Sequence, residues 1–106
     1  MSYRFMRMIV FFDLPTVTDK ERREYRRFRK LLIRNGFVMM QESIYSRLVL
    51  NASVQKTVTD LIVKEKPAKG LIQCLVVTEK QFTGIMSISG ECKSDVISTD
   101  ERLIVL

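Results

Sequence analysis

Two spacings of apolar residues alternate along the chain and divide it into elements. Met6–Asp13, MRMIVFFD, is an apolar run with Ile9 and Val10 beside Phe11 and Phe12, and it predicts a first strand. Over residues 20–34 the spacing becomes helical, with Tyr25, Phe28, Leu31 and Leu32 on one stripe. Thr18 and Glu21 form a capping box before that helix, and Asn35-Gly36 supplies a left-handed stop after it. Residues 37–41 and 43–50 predict two strands joined by a short hairpin. In the second of these, Ile44, Ser46, Leu48 and Leu50 alternate with Tyr45, Arg47 and Val49, as in a strand partly covered on both faces. Val54, Val58, Leu61 and Ile62 then recur at helical spacing, with Asn51 or Ser53 as cap and Pro67 closing the element. Leu71–Thr78 predicts a fourth strand, and EKQFTGI after it a short helical turn. Residues 87–100 are polar and loop-like, and ERLIVL ends the chain on a last apolar strand at 103–106.

The resulting order is β-α-β-β-α-β, an α+β, ferredoxin-like pattern in which two helices cover one face of an antiparallel sheet, here with an additional C-terminal strand. Residues 1–80 form the predicted core and residues 81–106 a tail, within a single domain. A hydrophobic strand at the end of a chain requires an edge to pair with. That edge belongs either to its own sheet or to a second copy of the chain, which would be a homodimer.

Composition narrows the chemistry. The chain has 106 residues, 46% hydrophobic and 28% charged, in the range of an ordinary folded domain. Nothing in it approaches the roughly 20 apolar residues of a membrane helix, so no membrane association is expected. The basic start leads into an apolar stretch too short for a signal peptide, which predicts a cytoplasmic protein. Cys74 and Cys92 are the two cysteines, expected as free thiols, Cys74 buried in its strand and Cys92 accessible in a loop. Histidine is absent. That removes imidazole zinc sites, Ser-His and Cys-His pairs and the usual neutral-pH base, and leaves carboxylate with a hard metal ion.

The formal net charge of +6 points to an acidic partner such as nucleic acid. The charge is concentrated in the first helix. Arg22, Arg23, Arg26, Arg27, Arg29, Lys30 and Arg34 fall within roughly 160° of its circumference, opposite the apolar stripe. Glu21 and Glu24 lie beside that stripe, at the positive end of the helix dipole. A solvated face normally mixes charge signs, whereas this one is cationic throughout and predicts phosphate binding. Arg47, Lys64, Lys66 and Lys69 could lengthen a phosphate track, but isolated surface cations carry little signal. The methionine pairs Met6/Met8 and Met39/Met40 predict core filling.

Asp13 is the remaining puzzle, because a carboxylate beside packed aromatics costs several kcal/mol unless compensated. Two readings fit the residues. Asp13 ends the strand by accepting backbone amides in the DLPT turn, or it is an acid available to a metal. One carboxylate per chain is little for hydrolysis, but a two-fold dimer could bring two copies of Asp13 to one ion. Asp19, beside Thr18, is expected to serve the helix start instead.

FFDLP closing the first strand, a basic first helix ending in NG, a ββ hairpin, a second helix, TEKQF and an apolar last strand together resemble the CRISPR-associated protein two family, most closely its type II subgroup. The likeness covers essentially the whole chain, and it rests on the order and spacing of the motifs rather than on any one. It implies a ferredoxin-like homodimer whose C-terminal strand packs on the partner's sheet. It also implies a role in spacer acquisition, binding double-stranded DNA together with the CRISPR integrase. Metal-dependent endonuclease activity on RNA or DNA would then fall to Asp13, with Mg²⁺ or another divalent cation as cofactor. Many members carry Tyr-Asp where this chain has Phe12-Asp13, which takes away a hydroxyl able to position water. Two other classes share the element order. One is a stand-alone endoribonuclease toxin of the virulence-associated protein D type. The other is an RNA-recognition motif, although SIYSRLVL lacks the aromatic-rich third strand that it would carry.

Overall fold

The structure, a computed structural model, describes residues 5–90. Seven elements follow in order: β1 (Met6–Asp13), α1 (Asp19–Arg34), β2 (Val38–Gln41), β3 (Ile44–Val49), α2 (Ala52–Glu65), β4 (Leu71–Thr78) and α3 (Glu79–Phe82). The strands form one antiparallel sheet in the order β2-β3-β1-β4, with β1 between β3 and β4. This is the ferredoxin-like arrangement that the pattern predicts.

Each helix starts and stops for a local reason. The Thr18 hydroxyl accepts from the Glu21 amide at 3.1 Å while a Glu21 carboxylate oxygen accepts from the Thr18 amide at 3.0 Å, so the capping box is complete. Gly36, at φ +89°, turns the chain out of α1 through the left-handed region. Asn51, not Ser53, caps α2 by accepting from the Val54 amide at 2.9 Å, and Pro67 lies buried just past the Lys66 C-cap. The hairpin carries a bulge between Met39 and Gln41.

Alternation divides the sheet into two faces. Met8, Val10 and Phe12 of β1 and Tyr45 and Val49 of β3 point toward the helices and are buried with Phe28, Leu32, Val58 and Ile62. Phe12 is the aromatic hub, with ring centroids 5.2 Å from Phe28 and 5.8 Å from Tyr45. Met6 and Met39 pack against this core, while Met40 is half-buried at the bulge.

The opposite face presents Arg7, Ile9, Phe11 and Asp13 of β1, paired in register with Val77, Leu75, Gln73 and Leu71 of β4. Leu71 and Leu75 are 57% and 52% exposed. Only α3 lies on this face among the described elements, at its Arg7 end. There Arg7 meets the Glu79 carboxylate with two hydrogen bonds, at 3.0 and 2.5 Å, and its guanidinium lies 4.5 Å over the Phe82 ring. Thr78 and Gln81 form a second capping box. TEKQF is thus a fastening of the chain to the end of β1.

Cys74 corrects an expectation. It points to the helix side, opposite Val10, yet it is exposed, because β4 is an edge strand that the helix layer leaves uncovered there. Partial desolvation still raises the thiol's pKa. Phe37 is buried in the core but precedes β2 rather than belonging to it. The predicted strand at 103–106 and Cys92 lie outside the described residues.

Candidate functional site: a bare carboxylate and a cationic helix face

Asp13 is the last residue of β1, paired with Leu71 at the start of β4, and it is exposed. The crossing behind it is tight. Gly70 sits at φ +101°, and a Cβ there would come within 2.8 Å of the Asp13 carbonyl oxygen and 2.6 Å of Leu14 Cδ2. Glycine is what allows β4 to begin directly against the end of β1. The Asp13 carboxylate makes no hydrogen bond or ion pair with any described residue. The turn-forming reading of Asp13 is therefore corrected, because its side chain accepts none of the amides of the DLPT segment.

Asp19 opens α1 and is spent on Arg22, as the helix-start reading expects. Among the described residues, no group of three or more acids, cysteines or histidines could hold a metal. At the end of β1, Asp13 offers an ion one carboxylate, with both oxygens unpartnered among the described residues.

Phe12 brings a second correction. It and Asp13 project from opposite faces, and the Phe12 ring is 6% exposed among Tyr25, Phe28 and Tyr45. A hydroxyl on residue 12 would point into the helix layer, so its absence takes nothing from the side on which Asp13 lies.

The cationic face of α1 separates into a centre and two rims. At one rim, Arg27 bonds Glu24 at 3.0 Å and reaches α2, where it donates to the Glu65 carbonyl at 2.9 Å and pairs with its carboxylate at 3.6 Å. At the other, Arg29 donates to the Tyr45 hydroxyl at 2.7 Å, and Arg22 donates to the Val17 carbonyl at 2.7 Å besides pairing with Asp19. Burial raises the Tyr45 phenol's pKa and Arg29 opposes the shift. The four central cations, Arg23, Arg26, Lys30 and Arg34, are exposed and bond no described residue.

From sequence, six of these seven cations, all but Arg29, are expected alike to bind nucleic acid. The helical wheel holds the distinction, since rim positions are those within reach of neighbouring elements, but Glu65 is 38 residues from Arg27 and cannot be paired with it by inspection. Arg47 is likewise spent inside the fold, donating to the Asn35 carbonyl at 2.8 Å. Lys69 lies 3.8 Å from Glu21.

Glu21 has its pKa lowered, chiefly by the Thr18 amide, with the Val17 amide and Lys69 adding to the effect against a desolvation that raises it. Tyr45 points into the core, so β3 offers no aromatic on the open face for a base to stack on, unlike an RNA-recognition motif. No described helix is long and apolar enough to cross a membrane.

Comparison with known proteins agrees with this geometry. The family model for CRISPR associated protein Cas2 matches residues 6–85. A protein of Treponema denticola is 50% identical over 101 residues, covering 95% of this chain and all of the relative. One from Streptococcus mutans is 45% identical over 101 residues, covering 95% and 93%, and one from Ligilactobacillus salivarius is 41% identical over the same length. All three relatives are named CRISPR-associated endoribonuclease Cas2. With that likeness over nearly its whole length, and with the β2-β3-β1-β4 sheet in place, this chain belongs to the Cas2 family of CRISPR-associated proteins.

Proposed function

We propose that the chain is a subunit of CRISPR adaptation. In this reading it works as a homodimer with the integrase, binds double-stranded DNA through α1, and uses Asp13 as the metal-holding acid of a phosphodiesterase acting on RNA or DNA. The observation that carries the reading is the Asp13 carboxylate, without a partner among the described residues, at the rim of an apolar sheet face that those residues leave largely uncovered. Burying that face against a second copy removes apolar area from water at roughly 25 cal/mol per Å². Under a two-fold axis the same contact carries one Asp13 from each chain toward the other. Two carboxylates then fit a hard divalent cation, which one chain alone does not.

Mg²⁺ bound there would polarise a phosphodiester oxygen and lower the pKa of a bound water. The chain's own residues do the rest. Asp13 supplies ligand oxygens, Gly70 and Leu14 hold the strand end that carries it, and the central cations of α1 hold phosphate by charge. The endoribonuclease names of the relatives support a nuclease reading, and the isolated +6 charge supports a nucleic-acid partner.

Titration of the purified protein with Mn²⁺ in place of Mg²⁺, followed by calorimetry, tests the site itself. We expect one ion per two chains and loss of that binding in Asp13→Asn. Equal binding by both proteins would remove Asp13 from the metal site.

A further inference from the structure

The open sheet face differs between its two ends. Ile9, Phe11, Leu71 and Leu75 line it from the middle to Asp13, and α3 closes the opposite end, the one described element on this side of the sheet. Val77, paired with Arg7 at the closed end, is half-buried, whereas Leu71 and Leu75 are exposed. Arg7 and Asp13 lie six residues apart on β1, about 20 Å at a rise of about 3.4 Å per residue.

A helix of four residues has no stability of its own, so α3 stays where its contacts hold it. The Thr78–Gln81 capping box closes the turn with bonds of 3.0 and 2.9 Å. The Glu79 amide donates to the Phe5 carbonyl at 3.3 Å. Arg7 then clasps the element from β1. Its planar fork matches both Glu79 carboxylate oxygens at 3.0 and 2.5 Å, and the same guanidinium lies 4.5 Å from the Phe82 ring centroid. The clasp also neutralises the one cation of β1 that points into this apolar face.

Resting on the reading that two copies pair through the open face and share an ion at Asp13, we propose that the Arg7–Glu79–Phe82 clasp is a positioning device for that ion site. It holds α3 as a stop at one end of the face, so that a second copy seats toward the other end. An ion shared by two copies lies on their two-fold axis, and each Asp13 must then lie beside that axis. Two faces overlapping along their full length would put the axis near the middle of β1, about 10 Å from Asp13. With α3 filling the Arg7 end, the overlap shortens from that end alone and its centre moves toward Asp13. Arg7, Glu79 and Phe82 are positioning residues in this arrangement, remote from the ion and acting through the seat of the partner.

The test combines sedimentation with Mn²⁺ calorimetry on the full chain, each variant first shown by circular dichroism to keep the fold. Arg7→Met/Glu79→Gln opens the clasp without leaving an unpaired charge against the face. Phe82→Ala loosens it independently, with both charges kept, and serves if the first variant does not fold. Arg7→Glu/Glu79→Arg rebuilds the ion pair in reverse, and Asp13→Asn removes the ion site. We expect the loosened variants to remain dimers yet bind Mn²⁺ roughly tenfold or more weakly, the size of effect that supporting residues have on a metal site. The reversed pair should recover wild-type binding.

Loosened variants that stay dimeric and bind Mn²⁺ as wild type does would overturn the clasp and leave the shared site at Asp13 standing. Loosened variants that become monomers would also overturn it, since the contacts would then hold the dimer together rather than set its register. Failure of the reversed pair to recover binding would remove the ion pair from the device. Wild type without Mn²⁺ binding, or binding undiminished in Asp13→Asn, would overturn the Asp13 reading and this inference with it.

Discussion

At the scale of single residues, the site depends on a glycine and a capping acid. Gly70 combines φ +101° with contacts of 2.6 and 2.8 Å for any added Cβ, one of them to the Asp13 backbone. We expect Gly70→Ala to destabilise the fold by about 2–3 kcal/mol, from left-handed strain plus overpacking. Denaturant melts measure this, and a change within 0.5 kcal/mol, the size of an ordinary surface substitution at about that figure, would contradict it. Glu21 makes a pH prediction. Its pKa is lowered below the ordinary 4.5 by the Thr18 amide, so its contribution is present above that value and is lost as pH falls through the lowered one. Thermal melts of wild type and Glu21→Gln should therefore differ at pH 7 and converge in acid, whereas a pH-independent gap would contradict the assignment.

Single residues also show what sequence could and could not reveal. The exposed acid at the end of β1 stood out as an anomaly in an apolar run, and the structure gives it no partner among the described residues. Phe12 and Asp13 are adjacent in sequence, yet alternation places them on opposite faces, which a reading by proximity overlooked.

At the scale of elements, β1 and β4 begin and end where the apolar runs do, because both are flanked by turn chemistry at Pro15 and Gly70. The first helix was legible through its capping box and its Gly36 stop. Phe37 was misjudged as a strand residue because it is apolar, whereas the left-handed turn at Gly36 drops it into the core before β2 starts. Cys74 was misjudged because its strand lies at the edge, and strand order is a tertiary fact. Helix pairing follows the same rule. Arg27 joins α1 to α2, and both partners are about 40% exposed, so screening limits the ion pair itself to well under 1 kcal/mol. With the hydrogen bond to the Glu65 carbonyl added, we expect Arg27→Ala to cost about 1–2 kcal/mol in urea melts. No change would show that α2 holds its place without the contact.

At the scale of the whole molecule, the fold sends its two chemical features to different sides. The helix layer carries the cationic face, and the open sheet face carries apolar residues with Asp13 at one corner. A dimer through the open face would leave both helix layers outward and available to nucleic acid. Leu75 lies on that face opposite Ile9 and is 52% exposed, so Leu75→Asp tests the arrangement without touching the helix-side core. Sedimentation should find wild type as a dimer and the variant as a folded monomer, and an unchanged dimer would move the interface elsewhere.

The most direct measurement is cleavage of end-labelled RNA and duplex DNA by wild type and Asp13→Asn, each with Mg²⁺ and with chelator, after both are shown to share fold and oligomeric state. We expect wild type to cleave with Mg²⁺, and we expect cleavage to disappear both in chelator and in Asp13→Asn. Equal cleavage by the two proteins, or none by either, would contradict a metal-holding Asp13 and leave the chain as a nucleic-acid scaffold.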